Sequence, residues 1–235
     1  FKVVNSHINT MLRNSKIHYK SSDLFSVLRG HFVKDMNLAR IKTMSMMICA
    51  LCKVQRIACT KLAAAFDNEA EACSSLRRIQ RLIAECVINT DFIAKLILKL
   101  IPVKEPYFLS MDRTNWKFSD TNINILTLGI IHEGMVFPIV FKMMDKRGNS
   151  NTKERMKLIS RFIRLAGDNS IAHLMADREF VGSDWLAFLN PRGIHYHIRI
   201  RENFPVIRHG KESKAHWLFT DLKLGECKHL SGIYY

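Results

Sequence analysis

The chain has no long hydrophobic run, and it has few acidic residues for its number of basic ones. Its longest apolar segment, Met44 to Cys52, is followed by Lys53 and Arg56. A bilayer span needs roughly 18 to 20 apolar residues, so no membrane insertion is expected. The composition, with 48% hydrophobic and 24% charged residues, excludes a disordered or fibrous chain. Internal repeats and low-complexity tracts are also missing, which predicts an ordinary folded protein.

The sequence also has no recognisable targeting signal at its amino terminus. It begins at Phe1 without an initiator Met, and no basic-then-apolar leader with a small-residue cleavage site follows. We therefore expect a cytoplasmic fragment of a longer protein.

The six cysteines do not follow the spacing of a zinc site or a disulfide framework. Cys49 and Cys52 form a C-x-x-C, but it lies inside a predicted helix over residues 41–54. No second Cys or His pair stands at zinc spacing, and no strand precedes the motif as in a thioredoxin-type site. We expect buried, reduced thiols at all six positions, which are Cys49, Cys52, Cys59, Cys73, Cys86 and Cys227.

Positive charge is in excess along the whole chain. The 36 Lys and Arg against 21 Asp and Glu give a net charge of +15, of which +9 falls on residues 1–105 and +6 on residues 106–235. Positive charge distributed along the chain favours an extended polyanion as partner, because each cationic contact with a phosphate backbone releases counterions and adds to the affinity. A basic but otherwise ordinary protein is the alternative.

Hydrophobic periodicity divides the chain into a helical part and an α/β part. Almost every segment of residues 3–102 has helical spacing, which predicts an all-α region. After Pro102 the pattern predicts an α/β domain with the order β-β-β-α-β-α-β. Its strands are expected at 107–111, 123–131, 135–143, 171–176 and 194–200, with helices at 151–166 and 183–189. His132-Glu133-Gly134 is expected to form a tight link between the second and third strands. Asn151 and Glu154 have the spacing of a capping box at the start of the first helix.

This order of elements predicts where two aspartates meet. Strands joined by short links form an antiparallel meander, whereas a strand reached through a helix usually returns parallel by a right-handed crossover. If the fourth strand returns beside the first, Asp112 and Asp177 follow neighbouring strand ends. Two adjacent carboxylates repel, and a divalent cation such as Mg²⁺ relieves the repulsion. Such sites cleave phosphodiesters, although an Asp after a strand is also a common turn former.

Several motifs in the α/β part resemble those of a known family. They are Met111-Asp112-Arg113-Thr114-Asn115-Trp116, Asn122-Ile123-Asn124-Ile125-Leu126, Asp145-Lys146-Arg147-Gly148-Asn149-Ser150-Asn151-Thr152 and Ala176-Asp177-Arg178-Glu179-Phe180 with Trp185 downstream. Over about residues 105 to 205, the chain resembles bacterial DDE transposases of the insertion-sequence-four type, and more loosely before that.

The resemblance implies a ribonuclease-H-like catalytic core whose first two metal-binding aspartates are Asp112 and Asp177. It implies Mg²⁺ (or Mn²⁺) as cofactor and double-stranded DNA as partner, cut at the element's terminal repeats and joined to target DNA. We further expect a dimer on DNA, in the bacterial cytoplasm and associated with the nucleoid. The implied domains are a helical DNA-binding region at 1–104, an incomplete catalytic core at 105–203, and the start of a β-rich insertion at 204–235.

The chain departs from this family at the third catalytic acid. The family carries that acid in a helical Y-x2-R-x3-E-x6-K motif beyond the insertion. Tyr196 and Arg199 begin such a spacing, but Asn203 stands where the Glu belongs, Glu202 is one residue early, and position 209 is His209. The stretch is also predicted as a strand, whose alternation separates Tyr196 from Arg199. We therefore expect a truncated transposase, with Glu202 as the only nearby substitute; a DNA-binding remnant and another ribonuclease-H-like nuclease remain alternatives.

Other residues have two interpretations each. Residues 62–83 fit a helix-turn-helix in which Arg77, Arg78 and Arg81 face DNA, and equally a solvated basic helix face. Three arginines suit phosphate contacts: Arg113 and Arg178 beside the two aspartates, and Arg147 between the third strand and the capped helix. Arg113 and Arg178 alternatively neutralise the neighbouring aspartates. Trp116 and Trp185 fit either base stacking or a place in the core.

Overall fold

The structure, a computed structural model, describes residues 21–234. The chain divides into two compact units that part between Asn89 and Thr90. The helical prediction for residues 3–20 lies outside the described residues. Within residues 21–234, no helix is long and apolar enough to cross a bilayer.

The described part of the first unit is entirely helical, which confirms the all-α prediction for residues 21–89. Its helices are α1 (Ser21–Phe32), α2 (Leu38–Val54), α3 (Cys59–Ala64) and α4 (Ala72–Glu85). Asn37 caps α2, since its side chain accepts a hydrogen bond from the Arg40 backbone N–H at 2.9 Å. Helices α2, α3 and α4 pack around one apolar cluster, made of Met46, Ala50, Leu62, Ala63, Phe66 and Ile79.

The second unit is built on a five-stranded mixed sheet. Its strands are β1 (Tyr107–Phe118), β2 (Thr121–His132), β3 (Met135–Met143), β4 (Ile171–Ala176) and β5 (His195–Ile198). The spatial order is β3-β2-β1-β4-β5, with β1 to β3 antiparallel and β4 and β5 parallel to β1. This is a ribonuclease-H-like fold. The predicted meander and the return of β4 beside β1 are both confirmed.

Three helices of this unit pack on one face of the sheet. They are α5 (Thr90–Leu100), α6 (Thr152–Ala166) and α7 (Ser183–Leu189). The capping box at Asn151 and Glu154 is present and starts α6. The core beneath the helices includes Leu109, Leu128, Ile159, Phe162 and Leu174, all fully buried. Trp185 is also fully buried there, so its place in the core is the correct alternative.

Helix α5 belongs to the unit that contains the sheet. Asp91 at its start forms ion pairs with Arg161 at 2.6 Å and Arg164 at 2.9 Å, both on α6. Periodicity grouped residues 90–100 with the helical region, because an amphipathic pattern predicts a helix without indicating which core it covers.

Strand β1 is longer than the sequence predicted. The expected end at Met111 is wrong, since β1 continues to Phe118, paired antiparallel with β2 from Asp112↔Thr127 to Phe118↔Thr121. Polar residues such as Asn115 and Lys117 have low strand propensity, so the sequence pattern does not predict this extension. Pairing with β2 stabilises this part of β1 instead. Asp112 therefore lies within a strand.

The link between β2 and β3 is the predicted tight turn. His132 pairs with Met135, and Glu133 and Gly134 between them have φ of 48° and 74°. Positive φ at both central residues is the geometry of a two-residue hairpin, and glycine adopts it without strain.

Residues 205–234 form a separate small antiparallel sheet. Its strands are β6 (Pro205–Arg208), β7 (Lys211–Lys214) and β8 (Ile233–Tyr234), in the order β7-β6-β8. This sheet lies where a β-rich insertion was expected to begin, and the predicted domain limits themselves stay predictions.

All six cysteines are free thiols, but only one of them is fully buried as predicted. Cys49 is buried, and desolvation raises the pKa of its thiol. Cys52, Cys73 and Cys227 are exposed, which contradicts the expectation. Each is small enough to lie on a polar face without disturbing the helix or loop that carries it.

Candidate metal centre

The register between β1 and β4 brings Asp112 and Asp177 to adjacent positions. The last paired residues of the two parallel strands are Met111 and Ala176, and each is followed directly by an aspartate. Asp177 keeps an extended backbone, with φ −82° and ψ 172°. Neighbouring strands are about 4.8 Å apart, so the two Cα atoms are separated by roughly that distance.

Both aspartates belong to the face of the sheet that the helices leave open. Leu109 and Met111 of β1 are buried against the helices, so the alternation of the strand places Asp112 on the opposite side. Leu174 is likewise buried, which places Asp177 on the same open side. Both aspartates are exposed, and the Asp177 side chain is 54% accessible.

Neither carboxylate is held in a tight ion pair with a described residue. Asp112 Oδ1 accepts a hydrogen bond from the Arg113 backbone N–H at 2.7 Å. Asp177 Oδ1 lies 4.0 Å from a guanidinium nitrogen of Arg199, whose side chain is 84% exposed. Hard carboxylate oxygens with room for water suit Mg²⁺, which is commonly bound through one or two carboxylates and keeps several waters. The donor chemistry therefore fits the cation.

A third acidic ligand does not join them within residues 21–234, where no group of three or more His, Cys, Asp or Glu has metal-binding geometry. Glu202 is exposed and follows β5 in a turn. Its carbonyl accepts hydrogen bonds from the His216 backbone N–H at 2.9 Å and ring Nδ1 at 3.0 Å. Its role as a substitute acid stays a prediction.

The two residues that begin the family's helical motif lie on a strand here. Tyr196 belongs to β5, pairs with Leu174 and packs against the core. Arg199 directly follows β5 and points to the open side near Asp177. Their separation on opposite faces agrees with the strand alternation predicted from the sequence.

Arg113 forms a two-pronged salt bridge with Glu179. Its Nε donates to both carboxylate oxygens at 3.0 and 3.2 Å, and its Nη2 donates to Oε2 at 2.9 Å. The hydrogen bond with Glu179 raises the pKa of Arg113, against a smaller opposing effect of burial. Nη2 also donates to Asn149 Oδ1 at 3.1 Å. Sequence reasoning offered phosphate or Asp112 as partners, but the strand turns Arg113 to the side opposite Asp112.

Arg155 is a buried cation that the sequence analysis missed. Only 5% of it is exposed, and it donates to Ser150 Oγ at 3.0 Å, to the Ser150 carbonyl at 2.6 Å and to the Glu179 carbonyl at 2.9 Å. Its guanidinium carbon lies 5.1 Å from the Phe180 ring centroid. Desolvation lowers the pKa of Arg155. The available signal was its spacing, since Arg155 lies on the same helical stripe as Ile159 and Phe162.

The loop between β3 and α6 is fixed by polar contacts. Buried Asn124 donates to the carbonyls of Lys146 and Gly148, both at 3.0 Å. Lys146 pairs with Glu154 at 2.7 Å, and Glu154 also accepts the Asn151 backbone N–H at 2.8 Å. Burial pushes the pKa of Glu154 up, but the Lys146 and Asn151 hydrogen bonds outweigh it and the pKa is lowered. The motif around residues 145–152 thus has a structural role.

The remaining DNA-contact candidates are on the surface. Arg77, Arg78 and Arg81 are exposed on α4, Arg147 is exposed in the β3–α6 loop, and Arg178 is exposed directly after Asp177. The link between α3 and α4 covers residues 65–71, longer than the three or four residues of a typical helix-turn-helix. Trp116 is 45% exposed on β1. The DNA-binding roles of these residues stay predictions.

No family model matches the chain, and no curated protein matches it. Among solved structures it is similar to the HTLV-2 integrase catalytic core domain in complex with magnesium. The dimeric form shares 16% sequence identity with a TM-score of 0.32, and the match covers 40% of this chain and 61% of that chain. The trimeric form shares 15% sequence identity with a TM-score of 0.32, and the match covers 40% of this chain and 60% of that chain. The simian T-cell lymphotropic virus intasome in complex with a PP2A regulatory subunit shares 13% sequence identity with a TM-score of 0.34, and the match covers 61% of this chain and 52% of that chain. The chain thus spans about three fifths of the integrase cores' length, and strand order and register remain the basis for the fold.

Proposed function

We propose that this protein is a metal-dependent DNA recombinase, specifically a DDE transposase of the insertion-sequence-four type, with Asp112 and Asp177 as two of its metal ligands. The observation that carries the proposal is the β1–β4 register, after which two exposed carboxylates follow side by side on an open sheet face. Mg²⁺ or Mn²⁺ is the cofactor that this donor set suits.

Different residues of the chain would bind the cation and contact the DNA around the scissile phosphate. Asp112 and Asp177 would hold the cation, which when bound activates the attacking oxygen and stabilises the departing one. Arg178, exposed directly after Asp177, and Arg147, exposed in the β3–α6 loop, contact the DNA backbone in this proposal. In this proposal the site cuts DNA at element ends and joins the ends to a target.

Binding of duplex DNA draws on the spread positive charge. The net charge of +15 supplies salt-dependent affinity for phosphates. Arg77, Arg78 and Arg81 place three exposed cations on α4, where they contact either the groove or the backbone. We propose that the protein acts on DNA as a dimer.

A Mn²⁺ titration tests the metal ligands directly. Paramagnetic resonance of free Mn²⁺ gives the affinity of the wild-type chain and of Asp112→Asn and Asp177→Asn, and both variants should bind at least about tenfold more weakly. Asp120→Asn is the matched control, because Asp120 is an exposed acid in the β1–β2 turn and its loss should change nothing. Equal affinity in all four proteins refutes the proposed site.

A second candidate is a protein that binds DNA without cutting it. It is favoured by the lack of a third acid beside the pair within the described residues. Incubation with supercoiled plasmid and Mn²⁺ separates the two functions: nicking that disappears in Asp112→Asn supports the enzyme, and salt-sensitive binding without nicking supports the second candidate. Loss of nicking in Glu202→Gln identifies Glu202 as the third acid, and nicking without strand joining indicates a nuclease.

A further inference from the structure

We infer that Arg113 and Glu179 are positioning residues, whose salt bridge fixes the separation of Asp112 and Asp177 and so sets the affinity of that pair for a divalent cation. The inference rests on the proposed metal site and adds to it two residues that do not touch the cation. We call the Arg113–Glu179 salt bridge the clamp.

Backbone hydrogen bonds between β1 and β4 end just before the two aspartates, so they do not fix the distance between Asp112 and Asp177. Pairing between β1 and β4 ends at Met111↔Ala176. Beyond it, Asp112 stays in the sheet through its partner Thr127 on β2. Asp177 leaves the sheet, because a 3₁₀ turn over Arg178–Phe180 follows at once. One carboxylate is therefore anchored to the sheet, and the other is at the start of a turn.

The clamp joins the two segments immediately after the last backbone pair. Arg113 is the neighbour of Asp112, and Glu179 follows Asp177 by two residues. Three N···O distances of 2.9 to 3.2 Å connect them, with the side chains only 14% and 20% exposed. A forked, partly buried pair of this kind resists changes of both distance and angle, which a single lysine contact does not.

Both halves of the clamp are themselves held. Arg113 reaches Asn149 on the β3–α6 loop, and its backbone N–H donates to Asp112 Oδ1. The Glu179 carbonyl accepts from buried Arg155, which also packs over Phe180. The clamp thus transmits the rigidity of the helix-covered core to the open face where the aspartates lie.

The same geometry argues against Glu179 as a third ligand. Both of its carboxylate oxygens accept from Arg113, on the side of β1 opposite Asp112. A ligand role requires Glu179 to leave Arg113. The two roles predict opposite effects when Arg113 is neutralised: a positioning role weakens cation binding, whereas a ligand role releases Glu179 and strengthens it.

The experiment measures Mn²⁺ affinity of the full chain by paramagnetic resonance in a set of clamp variants. Arg113→Gln and Glu179→Gln should each bind Mn²⁺ about ten- to a hundredfold more weakly, the loss typical when a residue that orients a metal ligand is removed. The swapped double variant, Arg113→Glu with Glu179→Arg, should recover affinity to within about tenfold of wild type, because it rebuilds the pair. Asp221→Asn breaks an exposed ion pair with Lys228 in the same unit and is the matched control, expected to bind like wild type.

The outcomes separate this inference from the proposed function. If Asp112→Asn binds Mn²⁺ as tightly as wild type, the metal site fails and the clamp's role fails with it. If Asp112→Asn is weak while Glu179→Gln equals wild type, the site stands and only the clamp is refuted. Tighter binding by Arg113→Gln also overturns the inference in favour of a ligand role. If a neutral variant does not fold by circular dichroism, Arg113→Lys replaces it: the charge stays but the fork is lost, and wild-type affinity in Arg113→Lys refutes the inference.

Discussion

Replacing buried Arg155 should destabilise the sheet-containing unit far more than replacing a surface cation on the same helix. The change is Arg155→Met, which keeps most of the side-chain volume and removes the guanidinium. It leaves the carbonyls of Ser150 and Glu179 without the donor they have in the structure. It also removes the contact with the Phe180 ring.

The magnitude follows from these lost contacts. Each hydrogen bond from a charged donor contributes about 1.5 to 3 kcal/mol, and the cation–π contact about 1 kcal/mol. The loss is partly offset, because a buried guanidinium with no ion pair to a described carboxylate is costly to desolvate and methionine is not. We expect a net loss of about 2 to 4 kcal/mol in the free energy of unfolding.

Tryptophan fluorescence during urea unfolding measures this loss in the right unit. All three tryptophans, Trp116, Trp185 and Trp217, lie after residue 90, and Trp185 is fully buried. With a urea slope of about 2 kcal/mol per molar, in the middle of the usual range, the midpoint should fall by roughly 1 to 2 M. Lys157→Met is the control, since Lys157 is exposed on the same helix and its midpoint should stay within about 0.3 M. An Arg155→Met midpoint equal to that of the control would refute the structural role assigned to Arg155.

Three further predictions concern pH, packing and thiol reactivity. Because the pKa of Glu154 is lowered in the fold, its ion pairs stabilise the fold above the unfolded pKa of about 4.3. Wild type should therefore exceed Glu154→Gln in free energy of unfolding by the full amount near pH 6, and this difference should disappear as pH falls below about 4. A difference that does not change with pH in urea titrations contradicts this. A Cβ on Gly129 would meet a Val136 methyl at 2.6 Å and the Phe137 carbonyl oxygen at 2.7 Å, so Gly129→Ala should lower the urea midpoint by about 1 M. The β2–β3 register shifts between Leu128 and Gly129, and an unchanged midpoint would mean that the strands relax freely at this shift. Cys49, buried and with a raised thiol pKa, should react with a thiol reagent at pH 8 at least about tenfold more slowly than exposed Cys52, as measured by mass spectrometry of the labelled peptides; equal rates contradict the burial.

The sequence predicted the order of secondary structure and the strand topology of the second unit. Alternating runs, the capping box at Asn151 and the tight turn at Glu133-Gly134 are local signals, and each acts through a few neighbouring residues. The rule that short links give antiparallel strands and a helical link gives a parallel return then predicted the directions of the strands. The adjacency of Asp112 and Asp177 depended in addition on β4 returning beside β1, which the sequence offered as a condition and the structure shows.

Side-chain partners could not be obtained in this way. Arg113 and Glu179 are 66 positions apart and meet only because the parallel register aligns the segments after Met111 and Ala176. Nothing local in the sequence distinguishes Arg113, which faces the core, from exposed Arg178. The alternation that separates Arg113 from Asp112 was hidden because the strand was expected to end before both.

Composition and local pattern by themselves determined the basic charge, the helical first region, the five strands of the second unit and the two aspartates that follow the last β1–β4 backbone pair. Only the tertiary structure decided which polar residues are buried and what they bind: Arg155 in the core, Asn124 under the loop, Glu179 on Arg113, and α5 on the sheet. The physical reason is that periodicity encodes the side of an element that is buried, whereas a buried polar group takes its partner from segments that only the completed packing brings within about 3 Å.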